Sequence, residues 1–414
     1  MQAFLITLVL ITGTILASLA LLIALNKAVR EGRERLDRRR RAILEPVVFQ
    51  YIHATDPRAL THMLPRPLSR RDRRIAEAIL LDAARVVRSR SRDRVIAAFD
   101  ALGAVRAAIL GLRSPRWWKR AESAERLGLM GSDSAVDPLV AALDDQEGEV
   151  RMRAARALGM VRGSASIRPL VLALADPSRW SAIRVAEILI GVGREAVGEL
   201  LAAYDSLPLP GRISALDILG RIRSLEAVPL LLRALKDTHP DLRARAACAL
   251  GHIGDPGFAA PLLDALRDAE WPVRATAARA LGRIGARAAI QALCRALGDG
   301  QWWVRANAGE ALRLLGPEGR EALIGMLDAD DTFARHQAVA QLEEGRITDD
   351  YVTDLASPDE ARRAAAVRFL EKVITLRRHE RLTQQSVEHA QEGTRRLLLE
   401  ILARPPLQGR VTAP

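Results

Sequence analysis

A leucine recurs along this chain at an almost constant spacing, and this repeat restricts the possible folds more than any other feature of the sequence. The leucines stand at positions 127, 158, 189, 219, 250, 281, 312, 342 and 370, at steps of 31, 31, 30, 31, 31, 31, 30 and 28 residues. A fixed period of this size indicates one small unit that stacks on copies of itself. The sequence therefore predicts a solenoid.

Three other residue types keep a fixed distance from the repeated leucine. An arginine stands seven residues before it, as Arg120, Arg151, Arg212, Arg243, Arg274, Arg305, Arg335 and Arg363; the unit of Leu189 has Ala182 there. An aspartate stands six residues before the arginine position, as Asp145, Asp176, Asp237, Asp268 and Asp299. A glycine stands four residues after the leucine, as Gly131, Gly193, Gly254, Gly285 and Gly316. We expect a ladder of arginine–aspartate bonds between neighbouring units, and glycines that end helices in the left-handed conformation.

Each unit is predicted to contain two helices joined by a short turn. In the unit around Leu281, apolar residues follow a helical stripe at Val273, Ala277, Leu281 and Ile284. The second helix of four units has a proline in its first turn, where a missing N–H is tolerated, at Pro138, Pro169, Pro229 and Pro261. No alternation typical of strands interrupts the array, so the fold class is all-α.

The segments DTHPDLRARAACALGHIG (237–254) and DAEWPVRATAARALGRIG (268–285) carry this pattern in full. They resemble the bilin-lyase-like short repeats of the HEAT-repeat superfamily, clearly over residues 114–345 and loosely over 346–376. The resemblance implies a right-handed α-solenoid of eight or nine helical hairpins. It implies little about function, because this fold serves many activities.

The chain outside the array is predicted to contain a membrane anchor. Residues 3–25 hold no charge and would reach roughly 34 Å as a helix, enough to cross a bilayer core. A cleavable signal peptide is disfavoured by the length of this run and by the lack of a cation before it. The predicted segments are a transmembrane helix over 3–25, a basic juxtamembrane segment over 26–45, an irregular helical N-terminal cap over 46–113, the solenoid over 114–376, and a C-terminal capping helix with a disordered tail over 377–414.

Basic residues directly follow the apolar run and predict its orientation. They are Lys27, Arg30, Arg33, Arg35, Arg38, Arg39, Arg40 and Arg41. The positive-inside rule places the N-terminus outside a bacterial inner membrane and the remaining chain in the cytoplasm. These cations either lie along the membrane surface and bind anionic lipid headgroups, or serve only as the topology signal.

All six tryptophans stand near the start of a first helix. Trp117, Trp271 and Trp302 are three residues before the arginine position, whereas Trp118, Trp180 and Trp303 are two residues before it. The first set is predicted to wedge between adjacent units. The second position varies widely among the units, which indicates exposure, so Trp118 and Trp303 are candidate contacts with a partner.

The resemblance also places the positions one, two, five and nine residues after the arginine on the concave face. In this chain the middle of that surface is basic, with Arg153, Arg156, Arg184, Arg221, Arg245, Arg279 and Arg283, and both ends are acidic. We expect it to bind an acidic segment of a protein partner, with Trp118 and Trp303 as anchors. A solvated charged face without a ligand is the alternative explanation.

No motif in the sequence supports catalysis. Deoxyhypusine hydroxylases carry repeated His–Glu iron ligands, but this chain has a single pair, His379–Glu380, and no zinc-binding spacing. The expectation is a scaffold without catalytic residues, metal or cofactor, which recruits a protein such as another membrane protein or a membrane-bound enzyme. A net charge of +12 also permits nucleic-acid binding, although acidic residues such as Glu187 and the anchor disfavour it. The sequence does not fix the oligomeric state.

Overall fold

The computed structural model describes residues 2–53, 69–86, 90–161, 163–176, 182–376, 384, 388 and 391–403. For residues 2–15, 17, 20, 53, 90 and 164 it describes the backbone alone. All regular elements in these ranges are helices, and none of the residues there lies in a strand. The chain forms two compact units, residues 1–170 and 171–414. This architecture confirms the all-α solenoid class, while its right-handed sense stays a prediction.

The first unit begins with a long helix and continues into the first repeats. Its helices are α1 (Gln2–His53), α2 (Arg70–Val86), α3 (Arg90–Ala101), α4 (Ala104–Gly111), α5 (Trp117–Met130), α6 (Val136–Ala142) and α7 (Gly148–Met160), and α8 (Ser164–Ala173) lies at the boundary of the two units. Pro169 lies inside α8 and not in its first turn. The core of the N-terminal helices includes Ile52, Leu80 and Phe99, which are fully buried.

The helix α1 bears on both membrane-related predictions. Within the described part of the chain, no helix combines the length and the apolar character that crossing a membrane requires. Most side chains of residues 3–25 lie outside the described residues, so the transmembrane helix stays a prediction. Residues 26–45 continue the same helix without a break. Their placement along a membrane surface stays a prediction.

The second unit contains the most regular repeats. Its helices are α9 (Ala182–Val192), α10 (Glu195–Ala203), α11 (Leu209–Ile222), α12 (Val228–Ala234), α13 (Pro240–Ile253), α14 (Ala259–Ala265), α15 (Trp271–Arg283), α16 (Ile290–Ala296), α17 (Trp302–Leu314), α18 (Pro317–Gly325), α19 (Thr332–Glu344), α20 (Ile347–Asp354), α21 (Glu360–Thr375) and α22 (Glu392–Ala403). Parts of the predicted capping helix, residues 377–383, 385–387 and 389–390, and the whole predicted disordered tail lie outside the described residues. Leu398 and Ile401 of α22 are buried.

The repeated leucines and glycines take the roles that the sequence predicts. All nine leucines are fully buried, at 0 % exposure. The five glycines four residues after them have φ between 67° and 86°, which is the left-handed conformation that ends a helix. Arg223 and Arg346 stand at the same repeat position and adopt φ of 57° and 58°. Two arginines therefore occupy a backbone conformation that glycine adopts more easily.

The glycine directly after the leucine sets how closely the first helices pack. A Cβ atom at Gly220 would lie 2.6 Å from the Cα of Ala249, and one at Gly282 would lie 2.6 Å from the Cα of Ala311. Gly251 meets Ala280 at 2.9 Å in the same way. Backbone therefore meets backbone where α11, α13, α15 and α17 touch one another in sequence.

The predicted arginine–aspartate ladder is confirmed at three steps. Arg243 donates from Nε and Nη2 to Asp268 at 2.7 and 2.8 Å, and Arg274 donates likewise to Asp299 at 2.8 and 3.1 Å. In the first unit Arg120 binds Asp145 at 2.7 and 2.8 Å. The hydrogen bonds from arginine hold the pKa of Asp145 and Asp268 below the ordinary value.

The same arginines also cap the preceding turn. Nη1 of Arg243 donates to the carbonyl oxygen of Asp237 at 2.9 Å, and Nη1 of Arg274 donates to that of Asp268 at 2.8 Å. Arg212 departs from this pattern, because its buried Nε has no hydrogen-bond partner among the described residues. Each complete step thus joins one helix to two turns through a single guanidinium group.

Candidate partner-binding surfaces

Three neighbouring helices of the second unit bring three arginines and a histidine together on one surface. Arg221, His252 and Arg283 stand nine residues after the arginine position of α11, α13 and α15, and Arg279 stands five residues after it in α15. We call these four residues the basic face. The arginines are close enough to affect the histidine: burial lowers the His252 pKa most, and Arg283, Arg279 and Arg221 lower it further. The carboxylate of Asp217 acts in the opposite direction.

Helix geometry explains why these side chains leave the core. Positions two, five and nine after the arginine are separated by three and four residues, so they share one side of a helix. In α13 the opposite side is buried through Leu242, Ala246 and Leu250. Arg221 and Arg283 also lie at the C-terminal ends of their helices, where the helix dipole favours a cation. Local sequence therefore places the cations, and the repeat aligns them.

Arginines predicted to bind a partner differ in whether they are already paired within the second unit. Arg221, Arg279 and Arg283 have no carboxylate within salt-bridge distance among the residues described, and the same holds for the exposed Arg184 on α9. Arg245 instead donates from Nη1 to Asp217 at 2.9 Å. This bond joins α13 to α11 across 28 residues of sequence, so Arg245 contributes less free charge than the sequence suggested.

The first unit carries three further predicted contact residues. Arg153 of α7 pairs with Glu149 at 2.8 Å and with Glu125 of the preceding repeat. Arg156 is exposed. Trp118 is also exposed, and the guanidinium carbon of Arg116 lies 5.7 Å from its ring centroid. This surface is therefore mixed in charge, unlike the basic face.

The expected wedge role of the first tryptophan set is wrong. Trp117, Trp271 and Trp302 are 44 %, 39 % and 54 % exposed. Each is the first residue of its helix, and side chains on a helix point toward its N-terminus, so these rings extend past the packed part of the unit. Trp302 and Trp303 contact each other edge to face, with centroids 4.7 Å apart. The predicted exposure of Trp118 and Trp303 is confirmed, and Trp180 lies outside the described residues.

The predicted membrane-surface cations all lie on α1, and most of them have acidic neighbours. Lys27 and Arg35 lie near Glu31, and Arg30 pairs with Glu34 at 3.1 Å. Arg40 and Arg41 reach α2, through Asp72 at 4.0 Å and Asp82 at 2.8 Å. In the portion of the chain described, Arg33, Arg38 and Arg39 have no carboxylate partner. Part of the basic segment therefore packs α1 against α2.

The described residues offer no grouping suited to metal chemistry. No set of three or more His, Cys, Asp or Glu side chains among them could hold a metal ion. Burial raises the pKa of the Cys294 thiol, which disfavours the reactive thiolate. The pair His379–Glu380 lies outside the described residues.

Comparison with known proteins identifies the class of this solenoid. The sequence profile of HEAT repeats matches residues 105–191, 198–271 and 259–343, which together make up more than half of the chain. The chain therefore belongs to the HEAT-repeat family. None of the curated proteins compared with this chain matches it.

Several solved structures are similar in part. Kap121p bound to Pho4p is 15 % identical over 87 % of this chain and 48 % of Kap121p, with a TM-score of 0.43. An engineered protein is 18 % identical over 87 % of this chain and 98 % of its own length, with a TM-score of 0.34. Human deoxyhypusine hydroxylase in complex with glycerol is 23 % identical over 60 % of this chain and 99 % of its own length, with a TM-score of 0.26. The chain spans about half the length of Kap121p.

Proposed function

We propose that this protein is a membrane-anchored scaffold whose basic face binds an acidic segment of a protein partner. The observation that supports it most strongly is the convergence of Arg221, Arg279 and Arg283 around His252. Like charges held together raise the free energy of the unbound surface, and a carboxylate ligand relieves this repulsion. Arginine also suits carboxylates because its planar fork can bind both oxygens.

The spacing of the basic face limits the shape of the ligand. Packed helices lie about 8–10 Å apart, so Arg221, His252 and Arg283 form a row at roughly that interval. A peptide in the polyproline II conformation has three residues per turn and advances about 3.1 Å per residue. Acidic side chains three residues apart would therefore lie on one side of such a peptide and meet Arg221, His252 and Arg283 in turn. This match favours an extended acidic segment that crosses the helices.

Exposed apolar residues support the anchored part of the proposal. Leu16, Leu21, Leu22 and Leu25 of α1 are each more than 60 % exposed in the described structure. Apolar side chains of this kind are stable when they are shielded from water, and lipid can shield a single uninterrupted helix. The cations that follow Leu25 orient such an anchor with its N-terminus outside a bacterial inner membrane. The partner would then be a protein at the same membrane, such as a membrane-bound enzyme.

The binding test uses the full chain in detergent micelles and a labelled peptide with glutamate at every third position of a glycine–serine background. Fluorescence anisotropy should show binding, and a peptide with glutamine at those positions should not bind. The variant Arg279→Glu/Arg283→Glu should bind the glutamate peptide about tenfold more weakly or worse, since each charge-assisted bond contributes about 1.5–3 kcal/mol.

A matched variant separates the basic face from net charge. Arg267→Glu/Arg295→Glu changes two exposed arginines of the same unit by the same charge, but neither belongs to the basic face. It should bind the peptide as the unmodified chain does. Equal loss in both variants would overturn the assignment of the basic face. Tighter binding of DNA than of the peptide, with a steep decrease on adding salt, would favour the nucleic-acid alternative.

A further inference from the structure

The helices α1 and α2 enclose a cleft of about 360 Å³ in the first unit. Its lining side chains are Arg33, Asp37, Arg70, Arg71 and Arg74. We call it the arginine cleft. Its volume lies within the range of sites that hold small ligands. Four guanidinium groups face a single carboxylate there, so the cleft carries a net positive charge.

One arginine of the cleft is fixed by the protein itself. Arg71 donates from Nε to Asp37 at 2.7 Å and from Nη2 to the carbonyl oxygen of Arg33 at 2.9 Å. Arg74 lies 3.6 Å from the other oxygen of Asp37. Arg33 and Arg70 have no carboxylate within salt-bridge distance among the described residues. Asp37 therefore positions Arg71 without neutralising the charge of the cleft. The remaining cations can bind an anion.

The start of α2 adds to the positive field. Ser69 caps this helix, since its Oγ accepts a hydrogen bond from the backbone N–H of Asp72 at 3.0 Å. The helix has 17 residues, and its positive end is at Arg70, beside the cleft. An anion with several acceptor oxygens fits this combination of a helix N-terminus and convergent arginines. Phosphate is the chemical group that meets these requirements.

The position of the cleft on α1 points to the source of the phosphate. Arg33 follows the exposed Leu25 by eight residues of one unbroken helix, a rise of about 12 Å. Lipid headgroups extend roughly 5–8 Å beyond the hydrocarbon core, and arginine side chains can reach back toward them. Contacts of Arg71 with Asp37 and of Arg40 with Asp72 place the first turn of α2 beside this part of α1. The cleft thus lies near the predicted bilayer end of the first unit.

We infer that the arginine cleft binds the phosphate of an anionic lipid headgroup. This inference rests on the proposed membrane anchoring and extends it from a hydrophobic helix to a defined polar site. Arg33, Arg70 and Arg74 would bind the phosphate oxygens. Arg71 would hold α2 against α1 at the cleft through its hydrogen bond to Asp37. The site includes residues of α2 that lie far from the apolar run in sequence.

The test counts lipid molecules retained by the full chain in detergent micelles, by native mass spectrometry, with phosphatidic acid and with phosphatidylcholine. The unmodified protein should retain phosphatidic acid preferentially. Arg70→Gln/Arg74→Gln should bind it about thirtyfold more weakly, as expected when two cations near a lipid phosphate are removed. The matched variant Arg38→Gln/Arg39→Gln removes two exposed cations of α1 outside the cleft and should change the affinity less than about threefold. Circular dichroism should be the same for all three proteins.

Two results would overturn the cleft assignment. Equal weakening in both variants would mean diffuse attraction to the whole basic segment. Displacement of phosphatidic acid by millimolar inorganic phosphate would mean that the cleft takes free phosphate and not a headgroup.

A separate measurement distinguishes failure of the anchor from failure of the cleft. Flotation of the full chain with phosphatidylcholine vesicles after alkaline washing reports the anchor alone. If the unmodified chain and both variants float, the anchor holds, and equal lipid retention by all three then contradicts only the cleft. Loss of flotation in the unmodified chain contradicts the anchoring part of the proposed function and the headgroup assignment that rests on it.

Discussion

Arginines form two different rows on the same helices of the second unit. In the ladder, Arg243 and Arg274 are mostly buried and each binds a carboxylate and a backbone carbonyl. In the basic face, Arg279 and Arg283 stand five and nine residues further along α15, without a carboxylate partner among the described residues. The residue type is the same in both rows. The difference shows that position within the repeat decides whether an arginine stabilises the fold or remains available to a ligand.

The largest effect is expected from a substitution that breaks the ladder and leaves the basic face intact. Arg274→Ala removes the bonds to Asp299 and to the carbonyl of Asp268, and it leaves a mostly buried carboxylate without its cation. We expect the free energy of unfolding to fall by about 2–3 kcal/mol. The control Arg279→Ala should cost less than about 0.5 kcal/mol, as an ordinary surface change does. Urea unfolding followed by circular dichroism measures both, and similar losses would contradict the division into two rows.

A smaller, opposite effect is expected at Arg223, which belongs to neither row. Its φ of 57° is left-handed, and Gly254 occupies the equivalent position of the next repeat. Arg223→Gly should raise the free energy of unfolding by about 0.5–1 kcal/mol, because glycine adopts this conformation with less strain. Gly254→Arg is the mirror control and should lower it by a similar amount. Peptide binding should not change in Arg223→Gly, since Arg221, His252 and Arg283 are kept.

The smallest effect is the pH dependence that the basic face gives to stability. The folded-state pKa of His252 is lowered, so the unfolded chain binds a proton there more readily than the folded chain. This histidine therefore lowers stability as the pH falls from 7 through its unfolded pKa of about 6.5. His252→Gln should make the melting temperature less sensitive to pH over that range. His336→Gln, a change elsewhere in the same unit, serves as the control, and an equal effect there would mean that the pH dependence does not come from the surroundings of His252.

The sequence predicted those parts of the fold that depend on local geometry. The leucines, the left-handed glycines and the ladder all follow from spacings within one repeat or between two adjacent repeats, and a stable period makes such spacings visible. The close approach of Gly220 to Ala249 was also present in the sequence, as a glycine after the leucine and an alanine 29 residues later. This contact was not predicted, because a glycine and an alanine in the sequence do not indicate close helix packing until the two helices are placed side by side.

The candidate surfaces were predicted less completely than the fold. The pairing of Arg245 with Asp217 crosses between repeats at a separation of 28 residues, and Arg153 with Glu125 has the same separation. A search at that interval would have found both pairs. The exposure of Trp271 depends on where its helix begins, and the arginine cleft depends on how α1 meets α2. These features lie outside the periodic signal, so spacing alone could not show them.

The glycine contacts between first helices have a consequence for recognition. Because Gly220 and Gly251 bring main chains together, the interval from Arg221 to His252 and on to Arg283 is set by contact between helix backbones and not by adjustable side chains. A ligand for this row has to supply the matching interval with its own chain. The spacing of a partner's carboxylates along its chain, more than their number, would then determine whether the partner is selected.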